Sequence, residues 1–284
     1  MADPMPTISV AIAVHNRKAT TLACLRSLWR QDGANEDFAL RVTVLDDAST
    51  DGTRDAVADA FPEVELLDGS GSLFWGGGMN VAMTRALEGD PDFALLLNDD
   101  VALRADAIRS ALETYRALAD AHGERLAVVG ATVEPGTETV TYSGFLRTSR
   151  RDPSKVARIE TRSAAPQPCD TMNGNFVLLP RVVTRALGPI DGTFIHQLGD
   201  LDYGYRLTKH GGTVWIAPGD IGECAANPRK MPFERPGLSM KEKWRALNTP
   251  LGMPPRSWAT FMYRHGGLIG LMILAGIYTK KMVR

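Results

Sequence analysis

Between Phe93 and Leu97 the chain carries five apolar residues in a row, FALLL, and then passes without a spacer into Asn98, Asp99 and Asp100. A strand with no polar face has to be covered on both sides, so it belongs to a sheet with helices on its two faces. Its end then presents two adjacent carboxylates, which repel one another until a bound divalent cation or a set of donors relieves them. The run therefore calls for a layered α/β core with an acidic cluster at a strand's carboxyl end, where open α/β sheets bind ligands. The plain alternative for the acids is a turn that caps the next helix.

The neighbouring segments agree with that core. Strand-like runs at residues 7–14, 41–45 and 64–67 alternate with helical patterns at 19–29, from after Ser49 towards Phe61, and at 79–87 and 105–121. Leu22, Leu25, Leu28 and Trp29 form one stripe of the first helix, and Ser49 is placed to cap the second. The second half is less regular, with strands expected at 126–133, 139–145, 176–179 and 213–216 and a surface loop over the Arg-, Ser- and Pro-rich stretch 146–168. Helices are expected at 241–247 and 257–278. With 284 residues and 44% hydrophobic content, this reads as one compact unit, residues 1–240, carrying a C-terminal helical appendage, residues 241–284.

Charge and cysteine usage narrow the function. Thirty-two basic residues against 33 acidic ones give a net charge of −1, which removes the case for a globally basic nucleic-acid binder. Cys24, Cys169 and Cys224 are odd in number and far apart, which suggests neither a disulfide framework nor a zinc site. The first apolar run is short and β-branched and has no positive stretch before it, so it reads as a strand rather than a secretion signal. A cytoplasmic setting is expected. His15, His210 and His265 form no HxH or HExxH pattern, and no GxSxG elbow is present.

Three polar clusters follow strands. VLDDASTDGT places Asp46 and Asp47 where carboxylates accept hydrogen bonds from a base or ribose, although the same sequence also serves ordinary turns. SLFWGGGMN combines glycines, which let a backbone approach phosphate or sugar, with aromatic faces suited to a pyranose. Phe74 and Trp75 read equally well as core aromatics. The third cluster is Asn98, Asp99 and Asp100.

The order VAIAVHNR, VLDDASTDGT, SLFWGGGMNVAM and LLLNDDV resembles the family 2 glycosyltransferases, inverting enzymes of the GT-A fold. The likeness continues through NGNFVLLP, GPIDGTF and HQLGDLDYGYRLTKHGG, so it covers roughly residues 7 to 220. It implies a Rossmann-like, mostly parallel central sheet flanked by helices. It further implies a nucleoside-diphosphate sugar donor (dTDP-, UDP- or GDP-linked), a divalent metal (Mg²⁺ or Mn²⁺), and a glycan or polyprenyl-linked acceptor. Within the family the chain looks most like bacterial enzymes that build rhamnose-containing cell-surface polysaccharides. Val14, His15, Asn16 and Arg17 would lie under the nucleotide, with Asp47 reading the base and Asp46 supporting the turn. Trp75, Gly77, Asn80, Asn98 and Asp99 would complete the donor site, and Asp100 would bind the metal.

The chain departs from the family pattern twice: Asn98 replaces the first acid of the metal motif, and Gly199 stands where relatives carry Glu. By position Asp200 inherits the role of general base, with Asp202 its supporter or an acceptor contact. The same two acids also suit a helix N-terminus. His196, Asn175 and Arg206 are candidate acceptor contacts, His196 being also a candidate structural histidine. Two other functions compete. A sugar-1-phosphate nucleotidyltransferase would show a glycine-rich first loop, which VHNRKAT lacks, and a non-catalytic sugar-binding relative would have no need of Asp100 and Asp200.

The tail admits two readings. Residues 266–278 carry no charge and are followed by Lys280, Lys281 and Arg284. As a helix that run extends roughly 20 Å, short of the roughly 30 Å hydrocarbon core. It is either a helix docked on the protein's own core or an interfacial helix with a basic flank, peripheral on the inner face of the cytoplasmic membrane.

Overall fold

The computed structural model describes residues 5–227 and 231–283; Arg284, counted above with the basic flank, lies outside them. The central sheet has eight strands: β1 (Thr7–Val14), β2 (Ala39–Asp46), β3 (Glu65–Asp68), β4 (Phe93–Leu97), β5 (Leu126–Val129), β6 (Gln167–Cys169), β7 (Phe176–Pro180) and β8 (Thr213–Ile216). Their spatial order is β6-β8-β5-β7-β4-β1-β2-β3. The N-terminal half is wholly parallel, β1 pairing with β2 and β4, and β2 with β3. β7 enters antiparallel between β4 and β5, so the second half is mixed.

The alternation of side chains shows why the apolar runs had to be covered twice. Ile8, Val10 and Ile12 of β1 and Leu95 and Leu97 of β4 enter one core cluster; Ala11, Ala94 and Leu96 enter another on the opposite face. β7 divides in the same way, with Phe176 and Leu178 on one side and Val177 and Leu179 on the other. Each buried Leu or Val contributes about 1.5–3 kcal/mol relative to exposure. The helices α1 (Lys18–Trp29) and α4 (Ala107–His122) cover the first face, and α3 (Phe74–Leu87) and α6 (Gly199–Lys209) the second.

Several elements differ from expectation. Helix α2 (Thr53–Ala60) is not capped by Ser49: Asp51 accepts the Thr53 amide at 3.0 Å, while the Ser49 hydroxyl accepts the Asn16 amide at 2.8 Å. The stretch 146–168 is not loop throughout. Val156–Arg158 pairs with Gly144–Arg147, and β6 lines the sheet edge with Pro168 opposite Trp215. Proline is tolerated there because an edge strand need not donate on both sides.

The largest departure is α3. It begins at Phe74 rather than near Met79, so the three glycines expected in a loop lie within its first five residues. A Cβ on Gly76 would sit 1.9 Å from the Phe194 carbonyl oxygen, and one on Gly78 would be 2.9 Å from Ala13 Cβ. Gly76 and Gly78 bring the helix against the protein's own backbone and against β1.

The C-terminal helices α7 (Met240–Leu247) and α8 (Pro255–Val283) follow α5 (Arg181–Leu187) and α6 in the chain. By length and composition α8 is apolar enough to cross a membrane, with a mean hydropathy of 1.3 over its most apolar stretch. It is broken, however, at Gly267 (φ 61°, ψ −150°). A Cβ on Gly270 would lie 2.2 Å from the Met262 carbonyl oxygen, so the second limb folds back on the first. The longer limb, 268–283, extends roughly 24 Å at the helical rise, short of a roughly 30 Å hydrocarbon core. Phe261, Met262 and Leu274 share a core cluster with Phe194, Leu198 and Tyr205. The appendage is thus continuous with the core that supports α6.

Substitution separates the helix glycines. Gly76→Ala must displace backbone and is expected to cost about 1–3 kcal/mol, as overpacking does. Gly77→Ala, whose Cβ meets only the Leu73 side chain at 3.4 Å, is expected to be neutral or to gain up to about 1 kcal/mol of helix propensity. Urea unfolding midpoints of the two variants test the contrast.

Candidate active site

The carboxyl ends of β1, β2 and β4 open onto two adjoining cavities of about 580 and 330 Å³, which share Arg17, Trp75, Asn98 and His196. The smaller is lined by Val14, His15, Asp47, Phe74 and Asp99; the larger by Asp100, Asn175 and Asp200. Parallel pairing brings this about: β1 lies between β2 and β4, so the segments leaving all three strands emerge on one side.

The acidic pair is held by an arginine. Arg17, in the segment after β1, places Nη1 2.8 Å from Asp99 Oδ1 and Nη2 2.9 Å from Asp100 Oδ2. Asp99 is buried, and its second oxygen faces the Thr21 hydroxyl at 3.4 Å. Burial pushes its carboxyl up to about 6, against the opposing pull of Arg17. Asp100 Oδ2 also faces Asn227 Nδ2 at 3.3 Å, whereas Asp100 Oδ1 is buried and has no hydrogen-bond partner.

Asn98 is locked in place. Its Oδ1 accepts the Trp75 indole N–H at 2.7 Å, and its Nδ2 donates to Asn175 Oδ1 at 2.9 Å. An amide supplies one acceptor and one donor there, which a carboxylate does not. Gly174 makes room for this arrangement, since a Cβ on it would lie 2.4 Å from the Trp75 ring. Asn175, expected to contact acceptor, lines the larger cavity while orienting Asn98.

Asp47, expected to read the base, lines the smaller cavity and holds backbone amides. Its Oδ1 accepts the Gly71 amide at 2.6 Å, and its Oδ2 accepts the Leu73 and Phe74 amides at 2.8 and 3.0 Å. A carboxylate from β2's end thus caps α3, satisfying orphan N–H groups and complementing the helix dipole. Asp46 is buried and accepts the Ser49 amide at 2.6 Å. Asn16 bonds the Thr50 amide at 2.7 Å, and Asn80 donates to the Ile190 carbonyl; neither they nor Gly77 line the two cavities.

The two candidate catalytic carboxylates part company. Asp200, on the first turn of α6, lines the larger cavity; its Oδ2 lies 3.3 Å from the Gly174 amide and its Oδ1 accepts the Leu201 amide at 2.9 Å. Gly199 has no room for a side chain, because a Cβ would meet Ile190 at 2.9 Å. Asp202 points the other way and is fully buried. It receives Arg206 Nε at 2.8 Å, Arg264 Nη1 at 2.8 and 2.9 Å, and His265 Nε2 at 2.8 Å. Arg264 also reaches Asp191 at 2.7 Å. Burial holds the His265 imidazole below its ordinary pKa despite the neighbouring carboxylate. Asp202 and Arg206, assigned above to the reaction and the acceptor, therefore lie outside the cavity lining: Asp202 ties α6 to α8, and Arg206 ties α6 to the Leu187 and Pro189 carbonyls at the end of α5.

Sequence reasoning missed Tyr142, Phe145, Asn173, Gln197 and Asn227, all on the larger cavity. NGNF offered a signal for Asn173; Tyr142 and Asn227 meet only through the fold, the Asn227 amide donating to the Tyr142 hydroxyl at 3.1 Å. Backbone strain gathers here too. Asn16, Phe74 and Leu198, at φ of 52°, 54° and 72°, flank or line the cavities, each at a cost on the order of 1–3 kcal/mol.

The profile of glycosyl transferase family 2 matches residues 9–173, more than half of the chain. No curated protein matches it. Among solved structures, GalNAc-T7 with UDP, GalNAc and Mn²⁺ superposes with a TM-score of 0.62 at 13% identity, covering 87% of this chain and 48% of that one. The chain thus spans about half the length of that protein. The mannosyltransferase PcManGT from Pyrobaculum calidifontis, in complex with GDP-Man and Mn²⁺, gives 0.52 at 18% identity, over 98% and 76%. S. aureus TarS 1-349 gives 0.54 at 16%, over 92% and 72%. At these identities the likeness is one of fold, the GT-A fold.

The opposed environments of the two α6 carboxylates predict opposed phenotypes. Removing one partner of a buried charge network costs about 3–5 kcal/mol, so Asp202→Ala is expected to lower stability by that order. Asp200→Asn is expected to cost about 1 kcal/mol or less, a hydrogen bond's worth. Chemical denaturation of both proteins measures the difference.

Proposed function

The chain belongs to glycosyl transferase family 2, and from that premise we propose that it moves a sugar from a nucleoside-diphosphate donor to an acceptor hydroxyl, inverting the anomeric carbon. The observation that carries this reading is that Asp100 and Asp200 line one cavity of about 580 Å³, beside the smaller cavity under β1 and β2. The smaller cavity, walled by His15, Phe74 and Trp75, is the place for the nucleoside. Phe145 and Tyr142 offer apolar surface in the larger cavity on which a sugar ring packs.

Asp200 takes the acceptor proton as the acceptor oxygen forms its bond to the anomeric carbon, while the bond from that carbon to the diphosphate oxygen breaks on the opposite face. The proton ends on the Asp200 carboxylate, and the electron pair of the broken bond leaves with the nucleoside diphosphate. Arg17, which borders both cavities, is placed to offset the charge on that diphosphate.

A divalent ion suits Asp100 because its Oδ1 is buried and without a hydrogen-bond partner. Among the described residues no group of three or more His, Cys, Asp or Glu side chains gathers to hold one, so phosphate oxygens and water would supply the other ligands, as Mg²⁺ sites commonly require. Mg²⁺ or Mn²⁺ bound there would neutralise charge on the diphosphate. The motif likeness supports rhamnose or a related hexose as the transferred sugar, and cell-surface polysaccharide synthesis as the setting.

Donor hydrolysis and binding across UDP-, dTDP- and GDP-sugars, with and without Mg²⁺ or Mn²⁺, tests the donor and metal together. Asp200→Asn is expected to keep donor binding and to lose acceptor-dependent turnover by on the order of 10²- to 10⁴-fold. Asp100→Ala is expected to lose the metal-dependent part of nucleotide binding. Unchanged nucleotide affinity and turnover in Asp100→Ala would remove the metal from this reading.

The second limb of α8 supports a peripheral place on an anionic membrane surface, as a polyprenyl-linked acceptor requires. Leu268, Ile269 and Met272 are exposed, and Pro255–Val283 contains no acidic residue while ending near Lys280 and Lys281. Such a face suits an interface. Truncation before α8 would strip Arg264 and His265 from Asp202, so the sharper test keeps the chain whole. Leu268→Gln with Met272→Gln is expected to abolish flotation with phosphatidylglycerol vesicles at low salt without lowering the melting temperature. Equal flotation of both proteins overturns membrane contact through this limb.

A further inference from the structure

Arg17 is the cation nearest the acidic pair, and it is bound to both members. One prong of its guanidinium lies 2.8 Å from Asp99 Oδ1 and the other 2.9 Å from Asp100 Oδ2. The side chain is 38% exposed and borders both cavities, so it is packed loosely enough to move. Asp99 has no oxygen to spare, because its Oδ2 faces Thr21. Asp100 does: its Oδ1 is buried without an N–H or O–H partner, with the neutral Cys224 thiol beside the carboxylate, while Oδ2 is shared between Arg17 and Asn227. Two carboxylates with one guanidinium leave a single net negative charge for an arriving cation.

Resting on the metal reading above, we propose that Arg17 is a built-in counter-ion that weakens binding of a divalent cation at Asp100 until a diphosphate arrives, to which Arg17 then turns. Guanidinium and metal compete for the same carboxylate. A positive charge a few ångströms from the site repels a second one, by about 1 kcal/mol at 4 Å even at the dielectric of water and more inside a cleft. A diphosphate changes the balance, since the guanidinium fork matches phosphate oxygens as well as it matches carboxylates. Once Arg17 is engaged on phosphate, Asp100 Oδ1 is open to the ion and Oδ2 keeps only its longer contact with Asn227. Metal and nucleotide then bind together far better than either alone. The device also keeps the acidic pair compensated in the free protein, where unrelieved repulsion at the end of a buried strand would strain the site.

The test uses Mn²⁺ alone, followed by the electron paramagnetic resonance signal of the free ion, on the full chain. Arg17→Gln is expected to bind Mn²⁺ at least about tenfold more tightly than the wild type without nucleotide. Arg17→Lys, which keeps the charge but not the two-pronged reach, is expected to show a smaller gain. Adding Asp100→Asn to Arg17→Gln is expected to erase the gain, which locates it. Circular dichroism melts accompany each variant, and the Lys variant carries the test should the Gln variant fold poorly. Equal Mn²⁺ affinity in the wild type and the Arg17 variants, or a gain that survives Asp100→Asn, overturns the proposal. The metal reading fails by a different result, namely that Mn²⁺ leaves the affinity of the wild type for UDP, dTDP and GDP unchanged.

Discussion

Asp99 and Asp100 stand side by side at the end of a strand that is buried on both faces, and the architecture around them compensates that juxtaposition. The core packing of β4 leaves the acids no freedom to separate, so relief must come from neighbours. It comes from the loop after β1 through Arg17, from α1 through Thr21, and from the distant Asn227. Only parallel pairing of β1 with β4 puts the first of these within reach, since both strands then end on the same side. The charge problem and the sheet topology are one constraint seen at two scales.

A second carboxylate shows the same physics turned to architecture. Asp202 is fully buried, yet three partners from α6 and α8 surround it. A buried charge is tolerated when it is paired and hydrogen-bonded throughout. Because Arg264 and His265 come from the C-terminal helix, the appendage braces the helix that carries Asp200. Asp200, two residues earlier, faces the cavity from the helix end that this network holds. The same division of labour holds for Asp47, whose oxygens fix the start of α3 so that Trp75 meets Asn98.

Much of this was legible in the order of residues. The run FALLL implied a strand covered on both faces, and its junction with Asn98, Asp99 and Asp100 implied a polar cluster at the sheet's carboxyl edge. Motifs that follow strands fall on that edge because the βα order leaves them no other side. Local pattern failed where the deciding contact was distant. SLFWGGGMN read as a ligand loop because glycine signals closeness of approach without saying to what, and the partner is the Phe194 carbonyl, more than a hundred residues away. Asp202 and Arg206 read as parts of the reaction and acceptor site because a motif records residue type and not direction; about half a turn of helix separates a side chain facing the cavity from one facing the core.

What the sequence by itself determined, then, is the layered α/β core, membership of the family with its mostly parallel sheet, and an acidic cluster at the end of β4. The core and the cluster follow from periodicity and from residue types at strand ends, which are properties of neighbours along the chain; the family and its sheet follow from the likeness of four ordered motifs. The tertiary structure alone decided which carboxylates face the cavity, which are consumed in holding helices, that Arg17 bridges the acidic pair, and that α8 folds back at Gly267 onto the core. Those outcomes depend on which surfaces meet, and the free energy of a buried charge or a close backbone approach is set by partners that sequence distance does not reveal.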